Sequence, residues 1–342
     1  VMFAIMWTLN GWSQSMGTSP AVIGLSRWFP LNIRGTYYGF FSSSHNIGEG
    51  LSFVFCGLLV SLAGWQWGFV GSAIAGILGV IIIIFFMHDN PESKGLPPVE
   101  VLTGEKTQSQ LDAEKAEREA NAAAEKASKD AETKRIQKAV FRNPGVWLLA
   151  LASGFMYISR YAVNGWGTLV LEGKGFSTAQ ATMILSVNAW CGIFGTVLSG
   201  FLSDKLFKGD RQLPALVAGI LHTISIIMFL YCGDSVVMNV IAMVLRGLAI
   251  GVLICFVGGL MAVDLVPRKA SGTALGIVGL VSYIFASTQD IISGVLIDKN
   301  TQILENGDKV IDFGPVGYLW IGAAIISFLL PLFNWGRKQQ VI

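Results

Sequence analysis

The sequence is poor in charge: lysine, arginine, aspartate and glutamate make up only 13% of its 342 residues. A soluble domain carries roughly 25% charged residues, so this composition excludes an ordinary water-soluble fold. The net charge of +2 is too small to indicate a nucleic-acid-binding surface. Hydrophobic residues account for 53% of the chain, which is the excess expected of a protein that lies in a bilayer.

Cysteine is also scarce, and its spacing fits neither a metal site nor a redox motif. The cysteines lie in or beside apolar runs and are interpreted as small buried hydrophobic residues: Cys56, Cys191, Cys232 and Cys255. The sequence contains no nucleophile elbow, phosphate-binding loop or metal-ligand cluster. We therefore predict that the protein is not an enzyme and that it has no cofactor and no metal.

Long hydrophobic runs are abundant. A bilayer core of about 30 Å needs about 20 mostly apolar residues per helix, and about nine runs meet this criterion. They lie near 1–28, 35–62, 66–87, 145–171, 177–203, 212–232, 236–263, 271–297 and 314–336. The sequence thus predicts an all-α integral membrane protein.

Basic residues alternate between the predicted loops. They are Arg27, Arg34, Lys205, Lys208, Arg211, Arg268, Lys269, Arg337 and Lys338, and the intervening loops are poor in lysine and arginine. Because cytoplasmic loops carry the excess of basic residues, we expect a cytoplasmic C-terminus in a bacterial-type inner membrane.

One polar segment interrupts the hydrophobic pattern. Residues 100–142 are rich in alanine, glutamate and lysine, have a helical bias and lack an apolar face. This is typical of a solvated cytoplasmic linker, with a partner-binding coiled segment as the alternative. We predict a helical bundle at 1–87, a charged linker at 88–142 and a second bundle at 143–342.

An internal repeat supports this division. The pattern Gly-Thr-x-x-Gly begins at Gly35 and again at Gly272, and Pro30 and Pro267 are separated by the same interval. The first three spans therefore repeat the last three, and the middle three have no counterpart. We expect an architecture of two six-helix halves from which the first three helices are missing, with Val1 marking a truncated start.

A repeat of this kind with a long charged central loop resembles the major facilitator superfamily. The stretch from Gly200 to Arg211 resembles the superfamily's loop motif between the second and third helices of a repeat. Three stretches narrow the match: Arg34-Gly35 with His45-Asn46-x-Gly48, Pro91-Glu-Ser-Lys-Gly95-Leu-Pro97, and Tyr157-x-x-Arg160-Tyr161 with Trp166. Together they resemble the organophosphate:inorganic phosphate antiporters. Asn164-x-Trp166-Gly167 favours the hexose-phosphate branch with its sensor-type member, and this resemblance implies that Asn164 is a substrate-binding residue. The resemblance implies that the chain holds helices four to twelve.

Arg160 is the strongest candidate for a substrate-binding residue. An ionisable group inside a bilayer costs at least about 2.5 kcal/mol on insertion scales and is a functional hypothesis by default. Arg160 lies near mid-membrane, and a guanidinium binds phosphate bidentately. The resemblance matches it to the seventh-helix arginine that holds the substrate phosphate. Tyr157, one turn earlier, shares its face and offers a hydroxyl.

The predicted fifth helix has two further polar candidates. The resemblance assigns His45 to substrate binding, and an imidazole titrates near neutral pH and can follow the phosphate charge. Glu49 lies one turn later on the same face. The family usually has glycine there and commonly an acidic residue in helix eight, where this chain has Asn188. We hypothesise that the carboxylate has moved from helix eight to helix five across the domain interface, and we predict Glu49 and Asn188 as coupling or interface residues.

Other candidates depend more heavily on the resemblance. Arg246 offers a second phosphate contact in place of the family's helix-one arginine, and Asp290 sets selectivity in helix eleven. The alternative for both is an ion pair, either with each other or at the lipid interface. Tyr283 matches a cavity tyrosine, with core packing as its alternative. Asp204 and Lys205 in the loop motif brace the cytoplasmic gate, or act as ordinary topology-setting charges.

These features predict exchange of an organophosphate, such as glucose-6-phosphate or glycerol-3-phosphate, for inorganic phosphate by alternating access. The expected partners are these small solutes and the lipid bilayer, without nucleic acid. Three alternatives stay open. The first is a sugar-phosphate sensor that signals to a membrane histidine kinase. The second is a proton-coupled organic-anion symporter that uses His45, Glu49 and Asp290. The third is that the fragment transports nothing by itself.

Overall fold

A computed structural model describes residues 2–15, 21, 24, 27–29, 31–104, 106–113, 134–201, 207, 211–266, 270–303 and 309–334. These residues are almost entirely helical. The long helices are α1 (Met2–Ser15), α2 (Leu31–Ala63), α3 (Trp65–Phe86), α4 (Pro144–Gly173), α5 (Thr178–Phe201), α6 (Gln212–Tyr231), α7 (Val236–Cys255), α8 (Ser271–Lys299) and α9 (Gly314–Leu329). Strands β1 (Thr301–Ile303) and β2 (Lys309–Ile311) pair antiparallel between α8 and α9.

Short helical segments extend or join these elements. A 3-10 turn at Pro91–Lys94 and a helical turn at Val99–Leu102 follow α3. A π-helical segment, Phe256–Leu260, and a turn at Met261–Asp264 continue α7, and a 3-10 turn at Leu330–Asn334 continues α9.

Eight segments are long and apolar enough to cross a membrane within the described residues. They are Ser44–Ala63, Trp65–Phe86, Pro144–Gly173, Thr178–Ser199, Gln212–Tyr231, Val236–Asp264, Ser271–Lys299 and Gly314–Asn334. They correspond to the second through ninth predicted spans, so the prediction of an all-α membrane protein is confirmed. The first predicted span contains α1, and several of its remaining residues lie outside the described part of the chain.

Local sequence signals set several helix boundaries. The Asn143 side chain accepts a hydrogen bond from the Gly145 amide at 2.9 Å, and Pro144 occupies the first turn of α4, a position where its missing N–H is not needed. Gly64, between α2 and α3, has a φ of 92°, in the left-handed region that glycine adopts without steric cost. The turn between α2 and α3 is therefore encoded locally.

The chain divides into two compact units. The first comprises Val1–His45 and Gly71–Ser128, and the second comprises Asn46–Val70 and Lys129–Ile342. Within the first unit, Trp28 Nε1 donates a hydrogen bond to the carbonyl oxygen of His88 at 2.7 Å. The predicted segments 1–87, 88–142 and 143–342 are consecutive in the sequence, unlike these two units. This division stays a prediction.

The second unit is built around α4 and α7. Helix α4 packs against α8 and α9, while α7 packs against α5 and α6. The contact between α5 and α7 is very close: a Cβ atom at Gly195 would lie 2.3 Å from the carbonyl oxygen of Leu248. Small residues permit such close approach between membrane helices. This packing brings polar groups of α4 and α7 together inside the unit.

Candidate functional site

The centre of the site is an arginine on α4 surrounded by tyrosines. Arg160 is buried, with 7% of its surface exposed. Its Cζ atom lies 5.6 Å from the ring centroid of Tyr157 and 5.5 Å from that of Tyr161, within the range of cation–π attraction. Tyr283 of α8 joins them, with its ring centroid 5.6 Å from that of Tyr157. Three of the predicted site residues, Tyr157, Arg160 and Tyr283, are therefore neighbours.

A carboxylate from α2 reaches this arginine. Glu49 Oε2 lies 3.9 Å from Arg160 Nη2, and Glu49 Oε1 accepts a hydrogen bond from Asn164 Nδ2 at 2.6 Å. Asn164 lies one helical turn after Arg160, so both side chains occupy one face of α4. Glu49, predicted as a coupling residue, thus contacts two of the predicted substrate-binding residues.

Arg246 of α7 is the second cation of the cluster. Its side chain is fully buried, and Nη2 donates to the backbone oxygen of Arg160 at 2.6 Å and to Asn164 Oδ1 at 3.1 Å. Its Nε and Nη1 atoms have no hydrogen-bond partner among the described residues. Buried polar groups are normally hydrogen-bonded, so these N–H groups are candidates for binding an anion.

The balance of charge in this cluster is positive. Two guanidinium groups, Arg160 and Arg246, are arranged around Asn164, and one carboxylate, Glu49, contacts Arg160 and Asn164. With ordinary ionisation these three side chains of the described chain therefore carry a single net positive charge. An uncompensated cation at membrane depth is costly unless an anion or water reaches it. The arrangement is suited to an anion that takes hydrogen bonds from guanidinium groups.

The remaining predicted residues are Asn188, Asp290, His45, Asp204 and Lys205. Asn188 of α5 is buried, and its Oδ1 has no hydrogen-bond partner in the described part of the protein. Asp290 of α8 is exposed and faces α4, where a Cβ atom at Gly165 would lie 3.6 Å from its Oδ1. His45 of α2 is exposed and belongs to the first unit. Asp204 and Lys205 are outside the described residues.

The structural alternatives have different outcomes. Within the described ranges Asp290 forms no ion pair, so the mutual pairing with Arg246 that the sequence left open is not observed there. Tyr283 is 59% exposed, so it is not a core-packing residue of the second unit.

The sequence missed a cavity next to the cluster. It has a volume of about 520 Å³ and is lined by Glu49, Ser52, Phe53, Cys56, Asn164, Thr168 and Thr182. Thr168 follows Asn164 by one helical turn, so helical spacing from Arg160 could have indicated it. Serine and threonine hydroxyls are common in membrane helices, where they hydrogen-bond to the preceding turn. The residue type alone therefore does not indicate a binding site.

The fold and the cluster together define a class. Membrane-length helices that enclose two buried arginines are the arrangement of a solute transporter rather than of an enzyme. The Major Facilitator Superfamily model matches residues 1–288. The chain belongs to the Major Facilitator Superfamily.

Named relatives agree with the narrower resemblance. The chain is 32% identical over 351 residues to the "Probable hexose phosphate transport protein" of Chlamydia trachomatis serovar D, covering 99% of this chain and 72% of that protein. It is 31% identical over 350 residues to the "Glycerol-3-phosphate transporter" of Bacillus subtilis, with coverages of 99% and 72%. It is also 29% identical over 294 residues to the "Membrane sensor protein UhpC" of Salmonella typhimurium, with coverages of 83% and 62%. The resemblance to the organophosphate branch is thereby confirmed.

A solved structure shows the same fold. A bacterial homologue of the human lysosomal transporter Spinster, in an inward-facing and occupied conformation, matches with a TM-score of 0.58. It is 17% identical, and the match covers 92% of this chain and 72% of that one. The prediction of a major facilitator fold and of a non-enzymatic transport protein is confirmed by these comparisons.

Proposed function

We propose that this protein moves an organophosphate across the membrane in exchange for inorganic phosphate by alternating access. The observation that supports this most directly is the pair of buried guanidinium groups around Asn164, with Glu49 as their carboxylate neighbour. Guanidinium groups bind phosphate through paired, charge-assisted hydrogen bonds. The unpaired N–H groups of Arg246 offer such bonds without rearrangement of the contacts already formed.

The same charge accounts for exchange rather than net flow. An empty site with an uncompensated positive charge crosses between the two membrane faces slowly, because that charge is costly in the bilayer. Phosphate neutralises the charge, and a ligand shifts a conformational equilibrium by its differential affinity for the states. The loaded protein therefore reorients faster than the empty one, which makes return of the empty site the slow step.

Each candidate residue has a proposed role in this scheme. Arg160 and Arg246 hold the phosphate, and Tyr157 and Tyr283 donate hydroxyl hydrogen bonds to it. Asn164 orients Arg246 directly and Arg160 through Glu49. His45 and Asp290 supply further contacts from outside the cluster, and Asp204 with Lys205 braces the cytoplasmic gate.

The proposed setting is the inner membrane of a bacterium, with the C-terminus in the cytoplasm. Two bundles, at 1–87 and 143–342, rock about the central site and are joined by the linker at 88–142. Glucose-6-phosphate and glycerol-3-phosphate are the proposed substrates, because relatives in this branch are named as transporters of hexose phosphate and glycerol-3-phosphate.

Uptake into phosphate-loaded proteoliposomes tests the proposal. The full-length protein should take up radiolabelled glucose-6-phosphate or glycerol-3-phosphate only when phosphate is inside. Arg160→Ala should reduce uptake to the level of protein-free liposomes. Arg142→Ala is the matched control, since Arg142 is exposed and precedes the membrane segment of α4. Equal activity with and without internal phosphate would refute exchange, and unchanged uptake in Arg160→Ala would refute the assigned site.

A second candidate is a receptor for the same solutes that signals to a membrane histidine kinase. The similarity to a protein named as a membrane sensor favours it. Binding of glucose-6-phosphate without flux, together with altered phosphorylation of a co-reconstituted kinase, would select the receptor.

A further inference from the structure

The cavity beside the charged cluster differs from it in chemistry. It adjoins the cluster through Glu49 and Asn164, and its other lining side chains are neutral. Hydroxyl groups are contributed by Ser52, Thr168 and Thr182, and an aromatic ring by Phe53. Such a mixture of apolar wall and a few polar groups is typical of a small-molecule site.

The cavity lies next to the charged cluster along the same face of α4. Arg160, Asn164 and Thr168 follow one another at intervals of one turn, so their side chains share a face over about 12 Å of helix. Thr182 of α5 lies beyond them against α2, where a Cβ atom at Gly57 would be 2.0 Å from Thr182 Oγ1. The absence of a side chain at Gly57 lets α2 and α5 approach closely beside the cavity.

The charge of the cavity decides which part of a substrate it can hold. Glu49 lines it, and a carboxylate repels a phosphate group at close range. The same carboxylate accepts hydrogen bonds readily from hydroxyl groups. A substrate that has both a phosphate and hydroxyls therefore places its phosphate toward Arg160 and its hydroxyls toward the cavity.

Two hydroxyls of the cavity are not engaged elsewhere. Ser52 and Thr168 form no hydrogen bond to any residue in the part of the chain that the structure describes. Thr182 donates its hydroxyl to the backbone oxygen of Thr178 at 2.9 Å, so its oxygen can accept a further hydrogen bond. The cavity thus has donors and acceptors at several positions around an apolar wall formed by Phe53.

We propose that this cavity is the subsite for the polyhydroxyl part of a sugar phosphate, and that Ser52, Thr168 and Glu49 bind the sugar hydroxyls while the phosphate lies at Arg160. This inference depends on the proposed function, since it assumes a phosphorylated substrate. It makes Ser52 and Thr168 specificity-determining residues: they contribute to binding of a hexose phosphate and not to binding of inorganic phosphate.

Removing single hydroxyls tests the subsite. Thr168→Val and Ser52→Ala in the full-length protein should leave phosphate:phosphate exchange in proteoliposomes within about twofold of the wild type. Each should raise the KM for glucose-6-phosphate about tenfold, as expected when one hydrogen bond to the substrate is lost. Thr223→Val is the matched control, because Thr223 is a buried threonine of α6 outside the cavity lining. Equal effects on both substrates, or no effect on either, would overturn the subsite.

Cys56 supplies a second measurement that does not depend on flux. It lines the cavity, so bound sugar should shield it from a thiol reagent. In the full-length protein with every other cysteine replaced by alanine, glucose-6-phosphate should slow alkylation of Cys56 by N-ethylmaleimide. Inorganic phosphate, which drives the same conformational cycle, should not. Equal protection by both ligands, or by neither, would contradict the subsite.

The two measurements separate failure of the subsite from failure of the proposed function. Absence of all phosphate-dependent flux in the wild type would refute the transport proposal, while protection of Cys56 by glucose-6-phosphate would still support the sugar subsite. Wild-type exchange combined with unselective variants would retain transport and reject the subsite.

Discussion

Asn164 donates a hydrogen bond from its amide nitrogen to Glu49 Oε1 over 2.6 Å. Its amide oxygen accepts a hydrogen bond from Arg246 Nη2 at 3.1 Å. The amide therefore has one orientation in which both contacts are satisfied. Asn164 links a carboxylate on α2 to a guanidinium on α7, and changes at this residue should affect both.

The first prediction concerns the charge at Asn164. Asn164→Asp adds a negative charge beside Arg246 and removes the hydrogen-bond donor to Glu49, so the cluster loses its net positive charge. We expect the KM for inorganic phosphate to rise at least about tenfold, because binding depends on that charge. Phosphate:phosphate exchange in proteoliposomes measures this. Asn300→Asp, at the C-terminal end of α8, is the control and should leave KM unchanged.

The second prediction concerns Arg246. Arg246→Met removes one guanidinium, the donor to Asn164 Oδ1 and the side-chain donor to the backbone oxygen of Arg160. Loss of a buried hydrogen-bond partner costs about 1–3 kcal/mol, so the thermal midpoint in detergent should fall. The KM should rise by a similar factor for phosphate and for glucose-6-phosphate, since the proposal places Arg246 at the phosphate group of both. A change confined to glucose-6-phosphate would contradict this role.

The third prediction tests whether the carboxylate can return to α5. Glu49→Gln should lower exchange, because it removes the charge beside Arg160. Asn188 is buried with an unpartnered oxygen, and Asn188→Glu combined with Glu49→Gln should restore exchange. Loss of exchange in the double variant despite normal expression would count against the hypothesis.

The fourth prediction concerns a lysine outside the membrane segments. Burial lowers the pKa of Lys174 to about 8, and the nearby Cys232 opposes this shift only in part. The ammonium group donates to Asn239 Oδ1 at 3.0 Å and to the backbone oxygen of Phe229. Since the unfolded chain keeps the ordinary pKa, it binds more protons than the folded chain between about pH 8 and 10.4.

Stability should therefore rise with pH across that window. Thermal unfolding of the full-length protein in detergent, followed from pH 7 to 10.5, measures the effect. Lys174→Met should flatten the increase, whereas Lys299→Met, at an exposed position, should leave it unchanged. If the unfolding midpoint depends on pH in the same way in the wild type and in Lys174→Met, the assignment to Lys174 is contradicted.

The sequence predicts most of the helices and several polar residues that the structure brings together. The apolar runs predicted the spans because helix length in a bilayer depends only on its thickness. Arg160 could be identified because an intramembrane charge is rare and its neighbours match a family motif. Arg246 was also recognised as intramembrane, but its contacts with Arg160 and Asn164 join residues more than eighty positions apart, and no local pattern contains that information.

The cavity could not have been predicted in the same way. Ser52 and Thr182 lie on different helices, and a hydroxyl in a membrane helix is compatible with bonding to its own preceding turn, as Thr182 does. The glycine at position 57 lets α2 and α5 approach near Thr182, and its effect depends on the partner helix. The sequence placed Glu49 on one helix face with His45, but its contacts with Arg160 and Asn164 of α4 depend on the tertiary structure.

The sequence alone determined that the chain lies in a membrane, where its helices run and which family it belongs to, because hydrophobic length and local motifs need no knowledge of distant contacts. The tertiary structure decided which groups meet: Glu49 with Asn164, Asn164 with Arg246, and the hydroxyls of α2, α4 and α5 around one cavity. These contacts depend on close helix packing at residues such as Gly195 and Gly57. Packing distances of this kind arise only when two helices are placed against each other.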